Sequence, residues 1–420
     1  MRWLRVRTYR WRRQATFLLG GLLTGIVAAG FTKLADLAAI GFQHLDSRWR
    51  WAALLVTPAG FALSIHLTTR FFQNAQGSGI PQAIAVRRIR DQKGREALVS
   101  IKVAAGKILL TLLGLLCGAS VGREGPTVQI GASLMYTTGR MTPRRQPGLI
   151  LAGAAAGVAA AFNTPLAGIV FAIEEMAKAF EVRTSGLVIA TVIAAGLTSQ
   201  AILGDYTYFG TTRADIGGFA GWAVVPVCGS LGGLAGGLFS RILILVLGGF
   251  PGALGRWIVR HPVAFAAACG LAVALCGIAA GGSTFGTGYA QARSLLEGSP
   301  PPAGFGAFKF LASVLSSVSG IPGGIFSPSL AVGAGMGAAL APLFSGTAVA
   351  AVVLLGMVSY FSGVVQAPIT AFVIVTEMTN DHAMIVPLMM AALIGSAVSR
   401  IVSPEGVYHA LARNYLPSKP

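Results

Sequence analysis

The stretch Gly122-Arg-Glu-Gly-Pro-Thr-Val-Gln-Ile-Gly-Ala132 returns 202 residues later as Gly324-Ile-Phe-Ser-Pro-Ser-Leu-Ala-Val-Gly-Ala334. Both copies read G-x-x-[GS]-P-[TS]-[VL]-x-[IV]-G-A. Pro is favoured in the first turn of a helix, where its missing N–H would be unpaired in any case. Each copy therefore predicts a helix start, and each lies inside an apolar region. Two further blocks repeat in the same order. Pro165-Leu166 with Glu175-Met176 downstream is echoed by Pro368-Ile369 with Glu377-Met378, at an offset of 202 to 203. Gly77-Ser-Gly-Ile-Pro-Gln-Ala83 is echoed more weakly by Gly286-Thr-Gly-Tyr-Ala-Gln-Ala292. The chain reads as two related halves, each with interrupted hydrophobic segments in corresponding places.

Composition sets the medium in which those helices begin. Of 420 residues, 54% are hydrophobic and only 11% are charged. Soluble domains carry roughly 25% charged residues, so so few charges could not cover a protein of this size in water. Disorder is excluded as well, since it needs low hydrophobicity and high charge. The expected fold class is an all-α polytopic membrane protein. The 56 glycines suit it, because Gly lets membrane helices approach closely. Broken backbone at membrane depth is tolerated only where protein buries it or where it lines a wet cavity. Repeated halves with such breaks point to a transport site near the midplane.

The net charge of +18 would suggest nucleic acid in a soluble chain. Here the bases stand beside apolar segments, which is the signature of membrane orientation. Arg2, Arg5, Arg7, Arg10, Arg12 and Arg13 precede the first apolar run, Thr16–Ile40, and further basic stretches fall at Arg87–Lys102 and Arg140–Arg145. The N-terminus and these loops are expected to be cytoplasmic, and the first apolar run is read as a retained helix. Residues 1–14 form a basic cytoplasmic segment and 15–420 one transmembrane domain, with repeat one at about 50–205 and repeat two at about 217–402. Cys117, Cys228, Cys269 and Cys276 all lie in apolar stretches without metal-ligand spacing, and the five histidines form no cluster. No metal, cofactor or nucleic-acid partner is expected, and no nucleophile motif or dinucleotide fingerprint supports an enzyme.

A helix start presents unpaired backbone N–H groups and roughly half a unit of positive charge. Several starts converging inside the membrane would hold a desolvated anion without a full opposing charge. Glu124 stands within one such start, between Arg123 and Gly125. Ionised, it is itself an anion and could take the site; protonated, it would leave. Intramembrane acids are costly and usually functional. Glu174 and Glu175 follow the apolar run Ala167–Ile173; one could face a vestibule while the other pairs with a base, and Glu377 is the repeat-mate of this pair. Lys107, alone in Val103–Leu116, needs a buried partner or a wet path.

Together, G-S-G-I-P at Gly77–Pro81, G-R-E-G-P at Gly122–Pro126 and G-G-I-F-x-P at Gly323–Pro328 resemble the motifs with which the CLC chloride channels and chloride/proton antiporters build their anion pathway. The resemblance runs from about the first helix to Tyr408. It implies the CLC fold, two inverted-topology repeats of tilted and broken helices, and a homodimer with one pathway in each subunit. It implies that Ser78, the backbone of Ile325 and Phe326, and Tyr408 bind chloride, supported by the backbone of Gly77, Gly79, Arg123, Gly125 and Gly324. Glu124 resembles the external gate and proton acceptor, and Glu175 the internal proton-transfer glutamate. The chain departs from a common family pattern at Gln82, where members often carry an acid, and at Ile84, where some transporters carry another, and it lacks the long cytosolic tail with paired CBS modules of eukaryotic members.

The expected function is proton/chloride antiport across a cell membrane, a bacterial inner membrane by the composition, with chloride, protons and lipid as partners. A passive chloride channel of the same fold is the alternative.

Overall fold

Each glycine–proline interruption begins a helix. In the computed structural model, residues 2–139, 146–177, 185–204, 207–300 and 302–416 are described, and the basic stretch Arg140–Arg145 lies outside them. Gly79 takes a left-handed φ of 95° and Pro81 stands in the first turn of helix Ile80–Arg88. Gly288, at φ 80°, precedes helix Tyr289–Leu296 in the same manner. This is the second copy of the weakest sequence repeat, and the shared backbone conformation supports it. Pro126 lies in the first turn of helix Glu124–Thr138 and Pro328 in that of Phe326–Leu340. Pro165 and Pro368 open helices Pro165–Phe171 and Pro368–Thr379.

Several of these helices are too short to cross a bilayer. A helix rises about 1.5 Å per residue, so the 9 residues of Ile80–Arg88 reach less than half of a hydrocarbon core roughly 30 Å thick. Eight helices among the described residues are long and apolar enough to span, including Gln14–Arg48, Gly221–Leu247 and Ile385–Val402. Complete and incomplete helices are thus mixed, as the sequence breaks predict.

The two halves pack alike. Helix Glu124–Thr138 lies on Gln146–Phe162, and Phe326–Leu340 lies on Val349–Val365. Glycines set the distance at both contacts. A Cβ built at Gly131 would stand 2.2 Å from the Gly153 carbonyl oxygen, and one at Gly333 would stand 2.5 Å from that of Gly356. Helix Arg2–Arg48 packs on Gln146–Phe162 and Ser185–Leu203; helix Val224–Leu247 packs on Val349–Val365 and Ile385–Val402. Ala and Gly fill the centre, whereas Leu55, Leu197, Leu238, Leu393 and Ile401 face outward. That order fits a hydrocarbon surround, in which small residues rather than large ones hold helices together.

The first long helix runs antiparallel to Glu124–Thr138. Gly20 stands against Met135 and Thr138 near the end of that helix, and Thr32 and Asp36 stand against Arg123 at its start. The basic N-terminal end therefore shares a face of the molecule with the C-terminal end of Glu124–Thr138.

Candidate anion and proton site

The three motif loops meet at one place. Gly122 and Gly324 exchange two backbone hydrogen bonds of 2.7 Å each, an isolated antiparallel bridge between the halves. Gly323 N–H donates to the Gly77 carbonyl at 3.1 Å and Gly77 N–H to that of Gly320 at 3.4 Å. Gly125 faces Ser78 so closely that a Cβ there would lie 2.4 Å from the serine Oγ. Helices Ile80–Arg88, Glu124–Thr138 and Phe326–Leu340 thus begin side by side. Their leading residues are equivalent: Arg123 at φ −102° and Ile325 at φ −108° each occupy the N-cap.

Ser78, Ile325 and Tyr408 line a 330 Å³ cavity on one side of this junction. The Oγ of Ser78 and the Oη of Tyr408 are both buried, and apart from their approach to each other neither has a hydrogen-bond partner in the protein. Such poorly paired hydroxyls are uncommon in folded proteins, and here both donors border a cavity beside helix N-termini. Phe326 is fully buried and packs its ring on Phe361 at 4.8 Å, Phe162 at 5.9 Å and Tyr408 at 5.9 Å. Its side chain is a wall, and its backbone stands at the helix start. The donor set of hydroxyls and backbone N–H groups suits an anion; among the described residues no group of metal-ligating side chains is found.

Glu124 is fully buried at the junction. Its Oε1 accepts from Ser327 Oγ at 2.5 Å. Arg123 does not pair with it there but turns to Asp36 and the Thr32 carbonyl. Arg123 and Asp36 line a second cavity, of 480 Å³. Glu124 thus adjoins Arg123 of this cavity on one side in sequence and Gly125, which faces Ser78 of the other cavity, on the other.

Glu175 borders a third cavity, of 740 Å³, with Arg88, Arg400, His409 and Arg413 around it. His409 Nε2 lies 3.5 Å from Glu175 Oε1 and 3.0 Å from its backbone carbonyl. The short helix Val407–Ala412 thus turns Tyr408 to the anion cavity and His409 to the acid. Glu174 takes another course. Its carboxylate accepts from the Ile369 and Thr370 N–H groups at 3.1 and 2.6 Å, and so it pairs with a helix start rather than a base. Residues Ala172–Ala177 form a π-helix, with i→i+5 rather than i→i+4 hydrogen bonds, and the two neighbouring acids leave it toward different partners.

Sequence reading did not single out four residues of this region. Ser327 lies within a quoted motif, but its repeat-mate is Gly125, so nothing in the pattern marked its hydroxyl. Tyr208 lies in no repeat. His409 was quoted only as the neighbour of Tyr408. Lys309 had a signal: it stands 202 residues after Lys107. Both lysines are fully buried. Lys107 Nζ donates to the Gln76 and Gly77 carbonyls, and Lys309 Nζ to those of Thr284 and Gly286. The partner that Lys107 needed is backbone carbonyl. Gln82 is also structural here, with Nε2 donating to the Gln76 carbonyl at 2.7 Å and to Tyr415 Oη at 3.1 Å.

Two inverted halves of broken helices, meeting N-terminus to N-terminus around buried donors, define a membrane protein built to hold an anion in its interior. Residues 60–400 match the family described as voltage gated chloride channel, and the chain belongs to that family. It is 31% identical over 428 residues to the H(+)/Cl(−) exchange transporter ClcA of Yersinia pseudotuberculosis, covering 93% of this chain and 85% of that protein. It is 28% identical over 390 residues to a putative chloride channel protein ClcB-like of Ralstonia nicotianae, covering 87% and 86%. The crystal structure of a slow cyanobacterial Cl−/H+ antiporter superposes with a TM-score of 0.80 at 25% identity, over 96% of this chain and 97% of that one. A CLC-type fluoride/proton antiporter shares the fold with a TM-score of 0.80 at 23% identity, over 94% and 96%.

Proposed function

We propose that the chain exchanges chloride for protons across a membrane. The observation that carries this reading is the place of Glu124, a buried carboxylate set among converging helix N-termini, next to residues that line two separate cavities. An ionised carboxylate and a chloride ion compete for the same donors. Protonation removes the carboxylate's claim, and an entering anion favours that change. Ser78 and Tyr408 supply hydroxyls to the anion, and Ile325 and Phe326 supply backbone N–H groups. Gly77, Gly79, Gly125 and Gly324 let the backbones meet, while Arg123 closes the outer rim with Asp36. Glu175 passes protons between the third cavity and Glu124, and Tyr408 lies within electrostatic reach of both acids.

The runner-up is passive chloride conduction. A buried acid bordering its own cavity, as Glu175 does, favours exchange, because a channel has no need of it. The name of the Yersinia relative points the same way. No cofactor and no catalytic turnover belong to this reading; chloride and protons are cargo.

The basic N-terminus is assigned to the cytoplasm. Arg88, Arg400 and Arg413 around the Glu175 cavity support that assignment by the positive-inside rule. The membrane is taken as a bacterial inner membrane. Two copies associate as a homodimer, one pathway each, with lipid around them; the exposed Ile193, Leu197, Leu393 and Ile401 suit either neighbour. A basic segment 1–14 and a transmembrane domain over 15–420 complete the organisation.

The deciding experiment records chloride efflux and proton uptake together from liposomes holding the purified chain. Exchange predicts proton uptake driven by the chloride gradient. Glu124→Gln should keep chloride movement and lose proton coupling; proton flux that persists unchanged in that variant refutes the reading.

A further inference from the structure

Glu124 is fully buried, yet exchange requires its proton to reach water on the Arg123 side. Its Oε1 accepts from Ser327 Oγ at 2.5 Å, and Ser327 Oγ lies 3.4 Å from Tyr208 Oη. Ser327 is 3% exposed and Tyr208 2%, but Tyr208 also lines the 480 Å³ cavity beside Arg123. The three groups run in line from cavity to acid.

Their polarity follows from donor arithmetic. An ionised carboxylate only accepts, and a hydroxyl carries one proton. Ser327 commits that proton to Glu124, so its oxygen is left to accept and Tyr208 must be the donor. Every O–H therefore points toward the carboxylate. The fold does not demand this serine, since the equivalent place in the other half is Gly125. The tyrosine ring packs against Tyr289 at 4.8 Å, Phe209 at 5.1 Å and Phe162 at 5.7 Å, contacts that a phenylalanine ring would keep.

We infer that Tyr208 and Ser327 form a proton relay between the cavity beside Arg123 and Glu124. The inference rests on the reading of Glu124 as the proton-carrying gate. In one concerted step, hydronium in the cavity gives a proton to Tyr208 Oη, the phenol proton passes to Ser327 Oγ, and the serine proton passes to Glu124 Oε1. Each hydroxyl ends with one proton as it began, the carboxylate becomes the neutral acid, and the hydronium becomes water. The reverse sequence releases the proton. Among the described residues, the charged and titratable groups around the path are Arg123 with Asp36, Tyr289 with Arg293 and Glu297 behind it, and Lys309 beside Gly288. Tyr408 lies within electrostatic reach of Glu124.

The test uses the full chain in liposomes, with chloride and proton flux recorded together as the pH on the Arg123 side is varied. Tyr208→Phe keeps the ring packing and removes the relay. It should slow coupled proton flux up to about tenfold, the upper end of the worth of one neutral hydrogen bond, and most at high pH, where hydronium is scarcest. Ser327→Ala should do the same, and Ser327→Thr should restore most of the rate. On a Glu124→Gln background no proton needs to arrive, and Tyr208→Phe should lose its effect. Wild-type exchange by Tyr208→Phe at every pH overturns the relay, as does an equal slowing of chloride flux on the Glu124→Gln background. If Glu124→Gln uncouples the protein while Tyr208→Phe does nothing, the relay alone fails. If Glu124→Gln remains coupled, the gate reading fails and takes the relay with it.

Discussion

Glu174 and Glu377 each cap the helix that leads to the other. Glu174 accepts from Ile369 and Thr370 at the start of Pro368–Thr379, which carries Glu377. Glu377 accepts from Leu166 and Ala167, at 3.0 and 2.6 Å, at the start of Pro165–Phe171, which runs into Glu174. The exchange closes a pseudo-twofold contact in which no cation among the described residues bonds either carboxylate. Each carboxylate satisfies two N–H groups that a helix start leaves unpaired, and meets the positive end of the dipole.

A stability prediction comes from that contact. Glu377→Ala and Glu174→Ala should each cost about 1–3 kcal/mol, the usual loss when charged acceptors leave N–H donors unpaired. Glu377→Gln should cost less, because an amide oxygen still accepts. Thermal unfolding of the purified protein in detergent checks this. An alanine variant as stable as wild type would show that the caps carry no net energy.

Glu175 should behave in the opposite way. Among the described residues it caps no helix start, and its neighbour His409 stands 3.5 Å away. Glu175→Gln should leave the thermal midpoint within a degree or two and abolish proton flux, while chloride flux continues. The paired flux assay together with a melting curve separates this acid from the one beside it. Loss of chloride flux in the variant, with folding intact, would give Glu175 a role in the anion path instead.

The contrast between these acids also shows where sequence was legible. The motifs with Gly122, Gly324 and Gly77 announced helix starts, and the starts converge because the halves are related; a repeat in sequence became a bridge in space. The repeat was readable to within one residue only. Aligning Glu175-Met176 with Glu377-Met378 gives an offset of 202, whereas the capping roles pair Glu174 with Glu377 at 203. The π-helix at Ala172–Ala177 absorbs the difference, and no composition or periodicity marks a π turn. The Ser327 hydroxyl was likewise invisible, since a repeat highlights what the halves share and Ser327 is where they differ. Lys309 could have been found by carrying Lys107 forward one repeat.

The two lysines allow a comparison within one molecule. Both hold loop carbonyls without a carboxylate, Lys107 at the Gly77 loop and Lys309 at the Gly286 loop. Lys309→Met keeps the stem and leaves the Thr284 and Gly286 carbonyls without that donor, a cost of about 2 kcal/mol or more, whereas Lys107→Met should cost less, because the Gln76 carbonyl keeps Gln82 Nε2 and the Gly77 carbonyl keeps the Gly323 N–H. Their effects on chloride should differ. Gly77 immediately precedes Ser78, so Lys107→Met should weaken chloride binding severalfold, while Lys309→Met should change it less than twofold. Calorimetric titration with chloride, beside melting curves for both variants, reads the difference. Equal loss of affinity would mean that the lysines act through long-range charge rather than through the loops they hold.

Ser78 and Tyr408 bring the opposite signs of two effects into one measurement. Each hydroxyl is buried, and the one protein group either approaches is the other. Removing one half of a strong hydrogen bond normally strands the other half, but here the contact is poor, and a poorly paired buried hydroxyl is itself a cost of about 1–3 kcal/mol. Ser78→Ala and Tyr408→Phe, measured without chloride, should therefore be as stable as wild type or more so. With chloride present the sign reverses. Each hydroxyl is a donor to the ion, so each variant should bind it more weakly by about 1 kcal/mol, roughly fivefold in Kd, and gain less from added chloride in its melting temperature. Melting curves over a chloride series give both quantities at once. A variant destabilised in the absence of chloride, with an unchanged response to it, would place these hydroxyls in the scaffold and leave the anion to the helix N-termini alone.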